Sequence, residues 1–238
     1  MLGNLRDFPR DFLNYYFASY SSGIIAGVDL AVDEDFLHIG KGIIKFNGML
    51  YLLSKPLKID YSNNDQATII KVRFEPVKEK EDFEIHDSEV ILDDELKVKE
   101  NEFELGRFKL REGAQLKNDY DKFEDFDVEY NTLNLINVLY STPGGASLHP
   151  KIIQKFAKVL YVNSKEMIDN VFAAECLNSR VVSKKLVENY LKKRLDTADD
   201  NYSNREIYNH LNQILSTLSI VRKPQKEKQH QAQQIIVD

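Results

Sequence analysis

The sequence predicts an α+β fold in which an N-terminal antiparallel β domain, sandwich or barrel-like, is preceded by a short helix and followed by a C-terminal helical domain. Short apolar runs between glycines fill residues 23–53, and Asn47-Gly48 marks a tight hairpin among them. Beyond residue 130 apolar residues recur every three or four positions. The predicted segments are a helical arm over residues 1–22, the β domain over 23–116, a connector over 117–130, the helical domain over 131–221 and a flexible tail over 222–238.

Length and composition are those of an ordinary globular protein. The chain has 238 residues, of which 42% are hydrophobic and 29% charged, and its mean hydropathy is -0.43. It is long enough for two modest domains, each with its own core. No apolar run reaches the roughly 18 residues that a membrane-spanning helix needs, and charges scattered through the first residues argue against a signal peptide. We therefore expect no membrane segment, and folding in the cytoplasm.

The two parts of the chain differ in charge. Residues 1–150 carry 17 Lys and Arg against 28 Asp and Glu, whereas residues 151–238 carry 15 against 10. An acidic surface repels nucleic acid and a basic one attracts it. The second part is therefore the better candidate for contact with DNA or RNA.

The first predicted element is a short aromatic helix that begins near Pro9. Its apolar residues recur at helical spacing and are Phe8, Phe12, Leu13, Tyr16 and Phe17. Three interpretations stay open at this stage. The stripe binds a partner protein, packs on the β domain of its own chain, or forms an arm that clasps a neighbouring subunit.

The β domain is predicted from turns and alternation. Asn47-Gly48 accepts positive φ at both central positions of a type I′ turn, so residues 43–46 and 49–52 form a hairpin. Residues 67–74 alternate apolar with basic side chains, which predicts a strand with one face in the core and the other in water. Further strands are predicted at 90–92, 96–99 and 103–110, with a bulge at Gly106 and a charged hairpin arm or solvated turn at 77–88.

The helical domain is predicted from helical spacing and end signals. Residues 131–140 carry Leu133, Ile136 and Leu139 at that spacing before a Pro-Gly-Gly stop. Pro150 is predicted to be the first residue of a helix, and Ser164 to cap the next one. A basic amphipathic helix is predicted over 179–195, with Val182, Leu186, Tyr190 and Leu191 inward. A capping box at 203–206 introduces the last helix.

Carboxylate pairs are the first candidates for chemistry, because they can serve acid–base catalysis or bind a hard cation. Two clusters occur: Asp33, Glu34 and Asp35, and Asp93, Asp94 and Glu95. Both lie between predicted strands, where acidic turn residues are common, so we predict solvated turns. A hydrolase acting on glycans through Asp33 or Asp94 is a remote alternative.

The other reactive residue types form no recognisable motif. The histidines, His38, His86, His149, His210 and His230, are scattered, and the single Cys176 is expected to be a small buried residue. The loop Pro143 to Ser147 is glycine-rich but lacks the Lys-Ser/Thr of a phosphate-binding loop, and is predicted to be an interdomain turn. We therefore predict no catalytic residue, no metal site and no cofactor.

A nucleic-acid interface is the alternative function that the residues suggest. Residues 150–195 are predicted to form three short helices, in a layout similar to a helix-turn-helix unit. The last helix is basic, and the expected phosphate contacts are Arg180, Lys184, Lys185, Lys192, Lys193 and Arg194. The competing interpretation is a charged helix face that meets only water.

A family resemblance is carried by three pieces of the glycine-rich stretch: SGIIAGV at residues 22–28, FLHIGKGII at 36–44 and NGMLY at 47–51. Together they resemble a recurrent pattern in baseplate and tail-fibre-associated proteins of tailed phages. In those proteins the pattern belongs to a β domain that attaches to the tail and assembles as an oligomer, often a trimer. We expect the glycines to allow sharp reversals where strands of neighbouring subunits approach closely.

The resemblance implies a non-enzymatic structural component of a phage or prophage tail, in the baseplate. Its β domain would mediate homo-oligomeric assembly, with a trimer favoured, and its helices would dock another tail protein. It would be made in the bacterial host cytoplasm and located in the virion tail. The helical second half departs from a fibre or receptor-binding protein, which favours a connector or adaptor role.

Overall fold

The computed structural model describes residues 8, 11–34, 36–62, 65–75, 78–80, 83–85, 88–197 and 201–221. Its strands are β1 (Gly23–Gly27), β2 (Leu30–Val32), β3 (Phe36–Ile39), β4 (Gly42–Phe46), β5 (Met49–Leu53), β6 (Leu57–Asp60), β7 (Ala67–Phe74), β8 (Lys78–Lys80), β9 (Phe83–Ile85), β10 (Ser88–Asp93) and β11 (Glu102–Lys109). Its helices are α1 (11–16), α2 (Pro150–Asn163), α3 (Met167–Asn178), α4 (Lys184–Leu195) and α5 (Asn204–Val221), with a 3₁₀ turn at Phe123–Asp127.

The strands form small antiparallel sheets. Their orders are β1-β4-β5, β2-β3-β6 and β10-β7-β11, and β8 pairs with β9 as a separate hairpin where a charged arm was predicted. The predicted α+β class, with a short helix, then antiparallel sheets, then helices, is confirmed. The bulge predicted at Gly106 is also present, because the register of β11 against β7 shifts between Glu104 and Gly106.

The hairpin of β4 and β5 is as predicted, and the glycines around it have an intrachain explanation. Phe46 pairs with Met49, and Asn47 and Gly48 have φ of 48° and 84°. A Cβ on Gly42 would lie 2.4 Å from the carbonyl oxygen of Ala26 in β1. The close approach that this glycine permits is thus made within one chain, rather than between subunits as the resemblance led us to expect.

The central strand β7 corrects the prediction of a half-buried strand. Lys71, expected on the water face, is fully buried because the loop that follows β10 and two carboxylates enclose its ammonium group. Its Nζ lies 3.0 Å from Asp93 and 3.1 Å from Glu102, and it donates hydrogen bonds to two carbonyl oxygens of residues 95 and 97. Alternation alone does not reveal a buried ion pair. Residues 96–99, predicted as a strand, lie in the loop between β10 and β11 that supplies these carbonyls.

Residues 131–140 are not the predicted helix. They run extended along strand edges: Asn134 exchanges backbone hydrogen bonds with Arg107 of β11, and Leu139 accepts one from Ile24 of β1. Leu133, Leu135, Ile136 and Val138 are all buried, which is not a helical pattern. The two sheet edges use the polar backbone groups that a helix would have used internally. The helical part of the fold therefore begins at Pro150.

One hydrophobic core joins the sheets and the helices. Phe123 and Phe126, in the segment predicted as a loose connector, are buried, and Phe123 stacks on Tyr208 of α5 with ring centroids 4.8 Å apart. The hydroxyl of Tyr208 also donates to the Phe123 carbonyl at 3.0 Å. The connector is irregular in its backbone but tightly packed. The domain boundaries predicted from the sequence stay predictions beside this continuous core.

The helix ends follow the predicted signals in most cases. Pro150 is the first residue of α2, and Ser203 and Glu206 exchange capping hydrogen bonds at the start of α5. The basic helix begins at Lys184 rather than residue 179, and Leu186 is exposed instead of inward. Ser164, predicted to cap α3, is instead the C-cap residue of α2, and the N-cap position of α3 is Glu166. The predicted tail over 222–238 lies outside the described residues.

Candidate assembly surface

The aromatic helix α1 exposes its apolar side chains. Phe8 and Tyr15 are 72% and 83% exposed, and Phe12 and Tyr16 are more than half exposed. The rings form a ladder from Phe8 through Phe12, Tyr16 and Phe17 to Tyr20, with neighbouring centroids 4.9 to 6.5 Å apart. Of the three interpretations of this stripe, packing on the β domain of the same chain is therefore wrong.

A buried lysine holds the base of α1 against the sheet of β1, β4 and β5. Lys45 in β4 is 5% exposed, and its Nζ donates to the carbonyl oxygens of Phe17 and, at 3.0 Å, of Ala18 just after the helix. A cation at this end of a helix is favoured by the helix dipole. Side chains alternate along β4, with Ile44 in the core, so Lys45 lies on the outer face of the sheet. The aromatic arm therefore begins on that outer face.

The outer face continues from Lys45 to two leucines of β5, the half-buried Leu50 and the exposed Leu52. Leu50 is the cross-strand partner of Lys45, and Leu52 pairs with Ile43 on the same face. Leu52 is 70% exposed, while the inward residues of β5, Tyr51 and Leu53, are buried. We call α1 with Phe8, together with the outer side of β4 and β5, the assembly surface.

The strand β5 also presents an open backbone edge. In a two-residue hairpin the closing pair exchanges both hydrogen bonds, here Phe46 with Met49, and the pattern then alternates. The N–H and C=O groups of Leu50 and Leu52 consequently point away from β4. Within the described part of the chain, no strand pairs with that side of β5. On the opposite side of the sheet, by contrast, Ile24 of β1 bonds to Leu139 and Ser141.

A second, polar cleft lies between the glycine-rich loop and the helices. It has a volume of about 480 Å³ and is bordered by Gly144, Gly145, Lys184, Lys185, Glu188 and Tyr202, among others. The side chain of Lys185 lies close over Gly144, where an added Cβ would be 3.0 Å from its Cε. Lys184 donates to Asn201 at 3.1 Å and lies 3.5 Å from Glu188. Basic and acidic groups thus alternate along this cleft.

The six predicted phosphate contacts are separated by the fold. Lys184 has the partners just described, and Arg194 pairs with Asp169, Nε to Oδ1, at 3.0 Å. Arg180 lies in the link before α4 rather than on a helix. Lys185, Lys192 and Lys193 are exposed, and Lys185 and Lys192 lie two turns apart on one side of α4. The basic surface is therefore narrower than the sequence indicated.

Sequence reasoning missed the buried carboxylate that joins α3 to α4. Asp169 is fully buried and accepts hydrogen bonds from Tyr190 at 2.8 Å and from Ser164 at 2.6 Å, beside its ion pair with Arg194. Burial and the bond to Asp169 raise the pKa of Tyr190 well above its ordinary value. Every polar partner of this carboxylate is on a neighbouring helix or its link, so the cluster holds the helices together.

The remaining titratable candidates also have structural partners. Asp33 accepts from the Phe36 N–H and lies 2.7 Å from His38 Nε2, as a turn residue does, while Asp93 pairs with Lys71; Asp35 lies outside the described residues. Burial raises the pKa of the Cys176 thiol to about 12 and lowers that of His149 to about 3. His149 Nδ1 accepts the Lys151 N–H at the start of α2.

Two searches of the described residues give no further site. No group of three His, Cys, Asp or Glu side chains is arranged to hold a metal ion there. No helix among those residues is long and apolar enough to cross a membrane. Comparison with protein-family models, curated proteins and solved structures gave no match.

Proposed function

We propose that this chain is a non-enzymatic structural subunit that assembles with copies of itself through its β domain and docks another component through its helices. Following the resemblance at residues 22–51, the assembly is the tail baseplate of a phage or prophage. The observation that carries the proposal is the assembly surface, which combines an exposed aromatic helix, the exposed Leu52 and an open strand edge.

The anchoring and the ring stacking of α1 support a role in assembly. Its base is fixed by buried Lys45, and its rings stack on each other, so the surface is held in place before a partner arrives. Preorganised aromatic side chains are the usual anchors of protein interfaces. Two exposed apolar residues of α3, Met167 and Val171, lie one turn apart and suit a second docking contact.

The test is whether the protein enters tail particles. Tails purified on a gradient from an induced lysogen should contain the chain at a fixed ratio to other tail proteins, by quantitative mass spectrometry. A variant with Phe12→Ser and Tyr16→Ser should be lost from the particles, whereas Lys55→Ser, at an exposed position off the assembly surface, should stay. Absence of the unmodified chain from tails would overturn the proposal.

Nucleic-acid binding is the second candidate, and one observation favours it. Exposed Lys185 and Lys192 share a side of α4, and Lys185 borders the cleft. This function predicts salt-dependent retention of DNA or RNA that is lost on charge reversal of Lys184, Lys185 and Lys192. No retention at low salt would eliminate it, and charge reversal of Lys165, exposed on the link before α3, is the matched control.

A further inference from the structure

We infer that β5 pairs antiparallel with β5 of a second copy of this chain, so that the sheet β1-β4-β5 continues across a two-fold axis into its partner. This inference rests on the proposed assembly function and names its subunit contact. It depends on three features of the molecule: the composition of β5, the register of its open groups, and the apolar area beside it.

Every other outer edge of the main sheets carries a feature that hinders pairing with another chain. β6 is preceded by Pro56 and carries Lys58 and Asp60, and β10 carries Glu89 and Asp93. Charge and proline are the usual protection of edge strands. The three-residue β2 is too short to be a good template, and Asn118 donates to its Leu30 carbonyl at 3.0 Å.

The edges of β1 and β11 are covered instead of charged. Residues 134 and 139–141 bond to their backbones, as described above. β11 also contains the bulge at Gly106, which interrupts a regular edge.

The strand β5 has none of these protections. Its sequence is Met-Leu-Tyr-Leu-Leu, with no charge, no proline and no bulge in its pairing with β4. Such a strand is a template for another strand. In the part of the chain that the structure describes, it is the outer edge without a protecting feature.

The open groups of β5 match those of an identical strand. Placing Tyr51 on the two-fold axis brings Leu50 opposite Leu52 of the partner subunit, and Leu52 opposite Leu50 of the partner subunit. Each of these is then a hydrogen-bonded pair that exchanges both N–H···O bonds. This register uses the outward N–H and C=O groups of both leucines. It also places the leucines of both copies side by side on the outer face, next to the two arms.

The exposed aromatic area of the assembly surface, beside the outer edge of β5, is large enough for contact with a second copy. Aromatic side chains bury about 150 to 250 Å² each. With the exposures of Phe8, Phe12, Tyr15 and Tyr16, α1 offers on the order of 500 Å² of surface per subunit. Two copies together offer on the order of 1,000 Å², which is about the lower limit for a specific interface. A contact between identical strands joins subunits in pairs, so it predicts a dimer or an even multiple in place of the trimer that the resemblance implies.

The test is the mass of the full chain by sedimentation equilibrium. Leu52→Pro removes an outward N–H that the hairpin does not use, and Leu52→Lys adds the charge that other edges carry. Each should raise the dissociation constant of the dimer at least about 30-fold. Tyr161→Lys changes a residue that is 55% exposed on α2 and should leave the dimer intact. Circular dichroism confirms that each variant is folded, and Leu52→Lys serves if the proline variant is not.

The outcomes separate this inference from the proposed function. A dimer that both Leu52 variants leave intact would overturn the pairing of β5 while leaving assembly in place, as would a trimer that they do not affect. A monomer that still enters tail particles would overturn the pairing alone. A monomer that is absent from tails would overturn both. A dimer that dissociates in the Leu52 variants, but not in Tyr161→Lys, supports the pairing.

Discussion

The sheets around β7 and β5 have the same size and opposite surroundings. In β10-β7-β11 the central Lys71 is buried with two carboxylates and two carbonyl oxygens around its ammonium group. In β1-β4-β5 the central strand also carries a buried lysine, Lys45, but its partners belong to the base of an exposed arm. The next strand, β5, leaves its outer backbone groups open.

The difference separates polar groups that stabilise the fold from polar groups that are available for assembly. Around Lys71 the donors and acceptors meet within the chain, so removing one takes a partner from several buried polar groups at once. At β5 the outward donors and acceptors have no strand beside them in the part of the chain that the structure describes, so we expect that changing them affects the fold little and a partner strongly. Substitutions near β7 should therefore act on stability, and substitutions on the assembly surface should act on association.

The largest effect on stability is expected from Lys71→Met. The variant leaves Glu102 and Asp93 without the ammonium group between them, and breaking a buried ion pair on one side costs about 3 kcal/mol or more. Urea unfolding followed by circular dichroism measures the change. Lys55→Met, at an exposed position, is the control and should change the free energy of unfolding by less than about 0.5 kcal/mol. Equal effects of the two substitutions would contradict the burial of Lys71.

The next largest loss of stability is expected from substitutions at the glycines of the β4–β5 hairpin. Gly42→Ala places a Cβ 2.4 Å from the Ala26 oxygen and 2.5 Å from the Val28 nitrogen, and both are backbone atoms that cannot move aside freely. We expect a loss of about 3 kcal/mol. Gly48→Ala meets no atom within 4 Å and only has to adopt a φ of 84°, which costs about 1 kcal/mol. Thermal unfolding of the two variants compares their losses of stability. A larger loss in Gly48→Ala than in Gly42→Ala would contradict the prediction.

The acid dependence of stability tests the carboxylates around Lys71. Burial alone would raise the pKa of Glu102, but hydrogen bonds from the Lys99 N–H, Arg73 and Lys71 outweigh it and lower the pKa below the ordinary 4.5. The pKa of Asp93 is lowered from 3.8, chiefly by the Glu95 N–H and then by Lys71.

A carboxylate whose pKa is lower in the folded state adds stability that is present above its unfolded pKa and is lost as the pH falls through its folded pKa. The urea midpoint should therefore be steady well above pH 4.5 and fall as the pH drops below it. The fall should be shallower in Glu102→Gln. A midpoint that stays constant down to pH 3.8 would contradict the lowered pKa values.

The smallest effect on stability is expected in the arm. Phe12→Ala removes a ring that is more than half exposed, so the free energy of unfolding should change by less than about 0.5 kcal/mol. Because interface aromatics contribute strongly to binding, the same variant should weaken self-association about tenfold or more. Sedimentation measures the association, and Tyr161→Ala, 55% exposed on α2, is the matched control. If the variant loses stability but not association, then Phe12 stabilises the fold and not the interface, contrary to the prediction.

The sequence predicted the elements whose signals are local. The Asn47-Gly48 turn, the bulge at Gly106, the proline at the start of α2 and the capping box of α5 are specified by residues close in sequence. The helix predicted at 131–140 was wrong because the backbone of that segment is bound by β1 and β11, which are distant in sequence.

The candidate surface was predicted only in part. The aromatic stripe of α1 was visible as a pattern, but whether it packs on its own chain depends on the tertiary structure. The open edge of β5 could not be predicted, since an edge is defined by which strands are absent beside it. The burial of Lys71 and Asp169 was hidden for a related reason, because their partners come from separate elements.

Amide hydrogen exchange at Leu50 and Leu52, resolved by NMR, tests the pairing of β5 most directly. These two N–H groups point away from β4, so a monomer leaves them open to water. The pairing of β5 predicts that both amides are protected at high protein concentration and exchange rapidly on dilution, while the amide of Tyr51, bonded to Ile44 in the hairpin, stays protected throughout. Exchange at Leu50 and Leu52 that does not change with concentration would contradict it.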